Sequence, residues 1–140
     1  MRPFISLALV FTITALAAGC EHADPLDPSR IDPTLSSIQA NIFDLNCALS
    51  GCHIGDSPNL PGVMNLSAGQ ARANIVNVRS VENPALFRVA PGDPDSSYLV
   101  WKIEGRPEIV GAQMPRGRPP LPPEQIAAIR QWITDGAQDN

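Results

Sequence analysis

The chain predicts a small all-α domain: about three main helices joined by long loops. Apolar residues recur at helical spacing in three segments, each bounded by a start or stop signal. Fifteen prolines and ten glycines in 140 residues leave much of the rest to turns. The length left after the N-terminal segments, about 105 residues, suits one small domain. No internal repeat is visible.

Residues 1–19 read as a leader. Arg2 opens a short positive region, and an apolar run follows from Phe4-Ile5 to Ala15-Leu16. The run is short for a bilayer span and ends in small residues, as a signal peptide does. Leu16-Ala17-Ala18-Gly19-Cys20 resembles a bacterial lipobox. That resemblance implies that Cys20 is lipidated and becomes the mature N-terminus. It departs at Ala17, where leucine is commoner. Ordinary cleavage near Ala17 would instead leave Cys20 as a free thiol. Glu21 after Cys20 is not the aspartate linked to inner-membrane retention in some bacteria, which tips the expected location toward the outer membrane. Residues 20–35 are rich in Pro and Asp and read as a tether, with the domain at 36–140.

Loss of residues 1–19 removes Arg2 and no acid. Ten bases less one, against fourteen acids, gives a net charge of −5. An exported acidic chain of this kind is a poor nucleic-acid binder.

The first helix is expected from about Ser36 to Asn46. Thr34 or Ser36 can cap it, and Ile38, Ile42 and Leu45 repeat along it. It runs directly into Asn46-Cys47-Ala48-Leu49-Ser50-Gly51-Cys52-His53. A weak turn is expected from Ser67, and Ile75-Val76-Asn77-Val78 reads as a short extended piece. The second helix follows Asp93-Pro94-Asp95-Ser96, carries Tyr98, Leu99, Trp101, Lys102 and Ile103, and stops at Gly105. The third starts at Pro122-Pro123-Glu124, where proline suits the first turn. Ile126, Ile129 and Ile133 line one face with Trp132 beside them, and Gly136 ends it. Phe43, Phe87, Tyr98, Trp101 and Trp132 are the domain's aromatics. A core drawn from so few is expected to need a staple.

The chemistry sits between the first two helices. With Cys20 assigned to lipid, Cys47 and Cys52 remain as a pair. Two thiols followed at once by a histidine can bond both vinyl groups of haem and leave the histidine for the iron. The usual spacing is Cys-x-x-Cys-His, and here four residues separate the cysteines. His22 lies beside the lipid site, so His53 is the domain's one histidine. An electron-carrying haem takes two axial ligands, and His with Met raises its potential. Met64 follows His53 by 11 residues, a short loop for reaching the opposite haem face. Met114 follows by 61, in Gly111-Ala112-Gln113-Met114-Pro115-Arg116-Gly117. Two other claimants exist for the cysteines. One is a plain Cys47–Cys52 disulfide in a haem-free structural or interaction lipoprotein. The other is a metal site of Cys47, Cys52 and His53, which Asp44 or Asp56 would have to complete.

The order of helix, Cys…Cys-His, irregular middle, Met-Pro loop and closing helix resembles a single-haem cytochrome c domain of the His/Met type. Met114-Pro115-x-Gly117, Leu121-Pro122-x-x-x-Ile126-x-x-Ile129-x-x-Trp132-Ile133-x-x-Gly136-Ala137 and Asn41-Ile42-Phe43 are similar to cytochrome c-like domains of exported bacterial proteins, the planctomycete-type among them. The likeness covers about residues 36–137. It implies a cytochrome c-like fold around one covalent haem c. Cys47 and Cys52 would carry the thioethers, His53 would be the proximal iron ligand and Met114 the distal one. The function implied is one-electron transfer, with no enzymatic role beyond weak peroxidase activity if the Met114 loop moves. The Cys-x4-Cys-His spacing is similar to that of some multihaem cytochromes, with Ala48 to Gly51 looping outward.

Five arginines, Arg79, Arg88, Arg106, Arg116 and Arg118, are candidate partners for haem propionates, with Tyr98 and Trp101 as candidate donors. The Pro58–Pro61 loop is a candidate source of a carbonyl for His53. Arg116 and Arg118 flank Met114 in an otherwise acidic chain. They are expected to dock a redox protein carrying negative charge around its own centre.

Overall fold

The computed structural model describes residues 31–55 and 64–140. The leader, Cys20, His22, most of the tether and the Pro58–Pro61 loop lie outside those residues. The architecture is all-α: four α-helices and, among the described residues, no strand.

Helix α1, Leu35–Ile38, starts where Thr34 accepts a hydrogen bond from the Ser37 amide at 3.2 Å. Its first amides are also met from the far end of the chain. Leu35 N donates to Asn140 Oδ1 and Ser36 N to Asn140 O, both at 2.9 Å. These groups satisfy donors that a helix start leaves open.

From Ile38 the chain continues unbroken as a π-helix, Gln39–Cys47, closed by Ala48 N donating to Phe43 O at 2.7 Å. A run of i→i+5 bonds takes more residues per turn than an α-helix, and this changes which side chains face inward. In an α-helix Leu45, seven residues after Ile38, would complete two turns and share its face. In the π-helix Cys47, nine residues on, completes them. Ile38, Ile42 and Phe43 are fully buried, Cys47 packs against the same core, and Leu45 is 59% exposed. The expected placement of Leu45 on the core face is thereby corrected. The same register predicts that Leu45→Glu leaves the urea midpoint nearly unchanged, while Phe43→Ala costs about 3–5 kcal/mol. Equal losses would point to an α-helical register.

The turn at Ser67 leads into a short helix α2, Ala71–Ile75. The expected extended piece is reduced to one residue. Val76 is extended, but Asn77 turns to φ 59°. Pairing across 76–97 is confined to isolated bridges, such as Val76 with Val89 and Phe87 with Ser97. Helix α3 is Tyr98–Glu104, stopped by Gly105 at φ 70°. Helix α4 is Pro123–Thr134, with proline in its first turn and Gly136 just beyond it at φ 95°.

Helix α4 packs on α1 and α3. Trp132 and Ile133 are fully buried, Ile129 nearly so, and Trp132 Nε1 donates to Gln138 O at 2.9 Å. The core is aliphatic rather than aromatic: one contiguous cluster links α1, the π-helix, α2, α3 and α4. A surface network ties α3 to α4, with Arg130 bonded to both Asp95 and Glu104, and Arg106 to the same two acids.

Candidate functional site

A cleft opens between the end of the π-helix, the 80–88 segment, α3 and the Met114 loop. It encloses about 100 Å³ of free space, and about 720 Å³ with its mouth included. Four groups of soft-metal or haem chemistry meet on its walls: Cys47, His53, Met64 and Met114. Leu66 and Leu99 complete the apolar part.

The cysteine segment delivers the first two. Cys47 ends the π-helix, and its carbonyl accepts from His53 N at 3.0 Å. Cys52 N donates to Leu49 O at 2.8 Å, so the chain folds back on itself within the four intervening residues. Ser50 and Gly51 are exposed, and Gly51 takes φ 79°, a conformation that glycine adopts without steric cost. The turn points outward at Ser50 and Gly51 only, since Ala48 packs against the core and Leu49 is half-buried, and the Cys47 carbonyl and His53 amide meet across it. Both cysteines are free thiols. Cys52 is half-buried but does not line the cleft.

The Cys47 thiol is pushed up to about 12 by burial, with the neighbouring Cys52 adding to the effect and Arg118 opposing it. Burial also pushes the His53 imidazole below its ordinary value. The Arg88 and Lys102 charges act in the same direction, and the Met64 backbone and Glu82 act against it. A neutral imidazole is the form that ligates a metal. His53 Nδ1 is buried and has no hydrogen-bond partner among the described residues. A buried polar atom left this way is unusual and calls for an explanation.

Met64 comes from the chain just after the histidine, where Leu66 N donates to His53 O at 2.9 Å. Met114 comes from the loop that follows α3. Its amide donates to Lys102 O at 2.9 Å, and Gln113 Nε2 donates to Ile103 O at 2.8 Å. Both acceptors are carbonyls at the C-terminal end of α3, a helix end that needs such partners. Gln113 lies over Gly105 so closely that a Cβ there would meet its side-chain carbon at 2.7 Å. Gly105 ends α3 in a left-handed conformation, φ 70°, that favours glycine. Val110 is fastened twice, its amide donating to Tyr98 Oη at 2.9 Å and its carbonyl accepting from Lys102 Nζ at 2.7 Å. On the outer side Arg118 Nη1 donates to Leu45 O at 3.0 Å, bridging the Met114 loop to the π-helix.

Of the five candidate arginines only Arg88 lines the cleft. Arg79 lies over the Phe87 ring at 4.0 Å and bonds Ala85 O, and Arg106 is held by Asp95 and Glu104. Arg116 and Arg118 are exposed. Tyr98 reaches the cleft, whereas Trp101 is outside it, donating to Asp95 O at 2.6 Å. Glu82 and Lys102 are cleft residues that the sequence did not single out. The weak signal was Lys102 itself, the one lysine of the chain, set on the helix that also carries Tyr98. Among the described residues no group of three or more His, Cys, Asp or Glu is arranged to hold a metal ion.

The donors on the cleft wall, a thiol, an imidazole and two thioethers beside apolar side chains, are of the types that hold a haem. Comparison of the chain with protein-family models, curated proteins and solved structures finds no match.

Proposed function

We propose that the chain is a c-type cytochrome, an electron carrier whose haem is attached through Cys47 and Cys52 and ligated by His53 and Met114. The observation that carries the reading is the cleft in which Cys47, His53, Met64 and Met114 meet. The bound group would supply a one-electron couple at its iron. The chain supplies the rest. His53 is kept neutral by burial, so no proton must leave before it ligates. The loop bearing Met114 is pinned at both Val110 and Gln113, which holds the thioether at the cleft without further ordering. Leu66 and Leu99 limit water. Met64 enters beside the histidine, so Met114, from the loop that follows α3, is the stronger candidate for the second axial position.

The cytochrome c-like fold, the lipid at Cys20, the export signal and an anchored position on the periplasmic side or cell surface belong to the same proposal. So does a redox partner with acidic charge docking near Arg116 and Arg118. No helix among the described residues is long and apolar enough to cross a membrane.

The test is expression with a cytochrome c attachment system, followed by an alkaline pyridine spectrum of the denatured chain. A haem spectrum that stays with the polypeptide is expected. It should be lost in a Cys47→Ser, Cys52→Ser double variant. A colourless product containing a Cys47–Cys52 disulfide would overturn the proposal in favour of a haem-free lipoprotein.

A further inference from the structure

The cleft is a donor set in its own right, whether or not it ever receives a haem. Cys47, His53, Met64 and Met114 bring a thiol, an imidazole and two thioethers to its walls. Thioethers are neutral and polarisable, and as metal ligands they favour soft ions such as Cu(I). A structural zinc site instead draws four ligands from Cys, His, Asp and Glu. Among the described residues no three of those stand together. The cleft is therefore poor in donors for a zinc-like ion and well supplied for a soft one.

Charge favours the same ion. Among the described residues Glu82 is the one carboxylate lining the cleft, and it already accepts from Lys102 Nζ and Tyr98 Oη, each at 3.1 Å. A divalent ion exchanged for one thiol proton would add a positive charge to a partly dry space that already holds an ammonium, and such a charge is costly unless paired. A monovalent ion exchanged for that proton adds none. Backbone bonds also set the donors in place beforehand. Cys47 O accepts from His53 N at 3.0 Å, His53 O from Leu66 N beside Met64 at 2.9 Å, and Lys102 O from Met114 N at 2.9 Å. Donors ordered in advance lower the cost of binding.

We propose that the haem-free chain binds one Cu(I) in this cleft, through the Cys47 thiolate and His53 together with the Met64 and Met114 thioethers. The Cys47 S–H bond releases its proton to solvent as the S–Cu bond forms, and no electron is transferred. The inference uses the cleft alone and goes beyond the haem reading.

The haem-free chain, carrying Cys20→Ser and kept reduced and free of oxygen, is titrated with Cu(I) against the coloured chelator bicinchoninate. A single ion per chain should be retained. Met64→Leu and Met114→Leu, which keep the bulk of the side chain, should each weaken retention about tenfold or more, since even loss of a group that merely supports a ligand costs that much. Cys52→Ser should leave it unchanged, because Cys52 does not line the cleft. Loss of binding in Cys52→Ser, with both methionine variants unaffected, would mean a simple dithiol site and overturn the proposal. So would failure of the parent chain to retain Cu(I). Far-UV circular dichroism checks each variant, and either methionine variant decides if the other does not fold. Covalent haem on a chain that retains no Cu(I) leaves the haem reading standing, and Cu(I) on a chain that never acquires haem leaves this one.

Discussion

Alkylation of Cys47 in the folded, haem-free, reduced chain should be about a thousandfold slower at neutral pH than in urea, measured as iodoacetamide adducts on Cys47 by mass spectrometry with Cys52 left in place. The thiolate is the reactive form. Burial lifts Cys47 from 9.0 to about 12, so the folded state holds about a thousandth of the thiolate that the open chain does. The same shift sets a pH dependence. The folded state favours the protonated thiol, so the associated stability is fully present below pH 9. It is lost as pH rises from about 9 to about 12, by about 4 kcal/mol in all. Urea midpoints of the reduced, haem-free chain should fall through that window, and the fall should shrink when Cys47 is replaced by serine. Equal alkylation rates in the folded and open chains would place the thiol in water. If the haem reading holds, attachment through Cys47 proceeds while this segment is open, because the closed form hides the nucleophile.

The second large effect concerns the distal ligand proposed for the haem. Met114→Ala should abolish the methionine–iron charge-transfer band of the oxidised, haem-loaded protein, and Met64→Ala should leave it. The reasoning is positional. Met64 arrives two residues before Leu66, whose amide is bonded to the His53 carbonyl, so it belongs to the histidine's wall. Met114 hangs from the C-terminal carbonyls of α3, an element separate from the one that carries the histidine. The reverse result would transfer the assignment to Met64. Loss in both variants would mean that the two thioethers support one another in a way that the pinned loop does not predict.

Helices α3 and α4 were legible because their signals are local. Proline at the first turn, Ile126, Ile129 and Ile133 at α-helical spacing and glycine past the end all act within a dozen residues. The segment before Cys47 was legible as a helix but not in its register. Ile38, Ile42 and Leu45 fit an α-helix, and the i→i+5 ladder that turns Leu45 outward and Cys47 inward has no simple sequence mark. Cys47, His53 and Met114 were expected to meet and they line one cleft, yet Cys52 stands off its wall. Which arginine would face the cleft could not be read from spacing, since Arg79, Arg106 and Arg118 are claimed by Phe87, by Asp95 with Glu104, and by the Leu45 carbonyl. Lys102 was missed as a cleft residue because its partner Glu82 lies 20 residues away, and nothing local announces that pairing.

Lys102 has one more consequence, for the bench. It is the chain's single lysine, and its ammonium is bonded to Glu82 and Val110 inside the cleft. Amine-directed dyes, cross-linkers and acetyl donors therefore find no lysine on the native surface. Trypsin acting on the folded chain is left with arginines. A lysine label that does appear reports that the wall between α3 and the Met114 loop has come apart, so one amine serves as a built-in gauge of whether the cleft is closed.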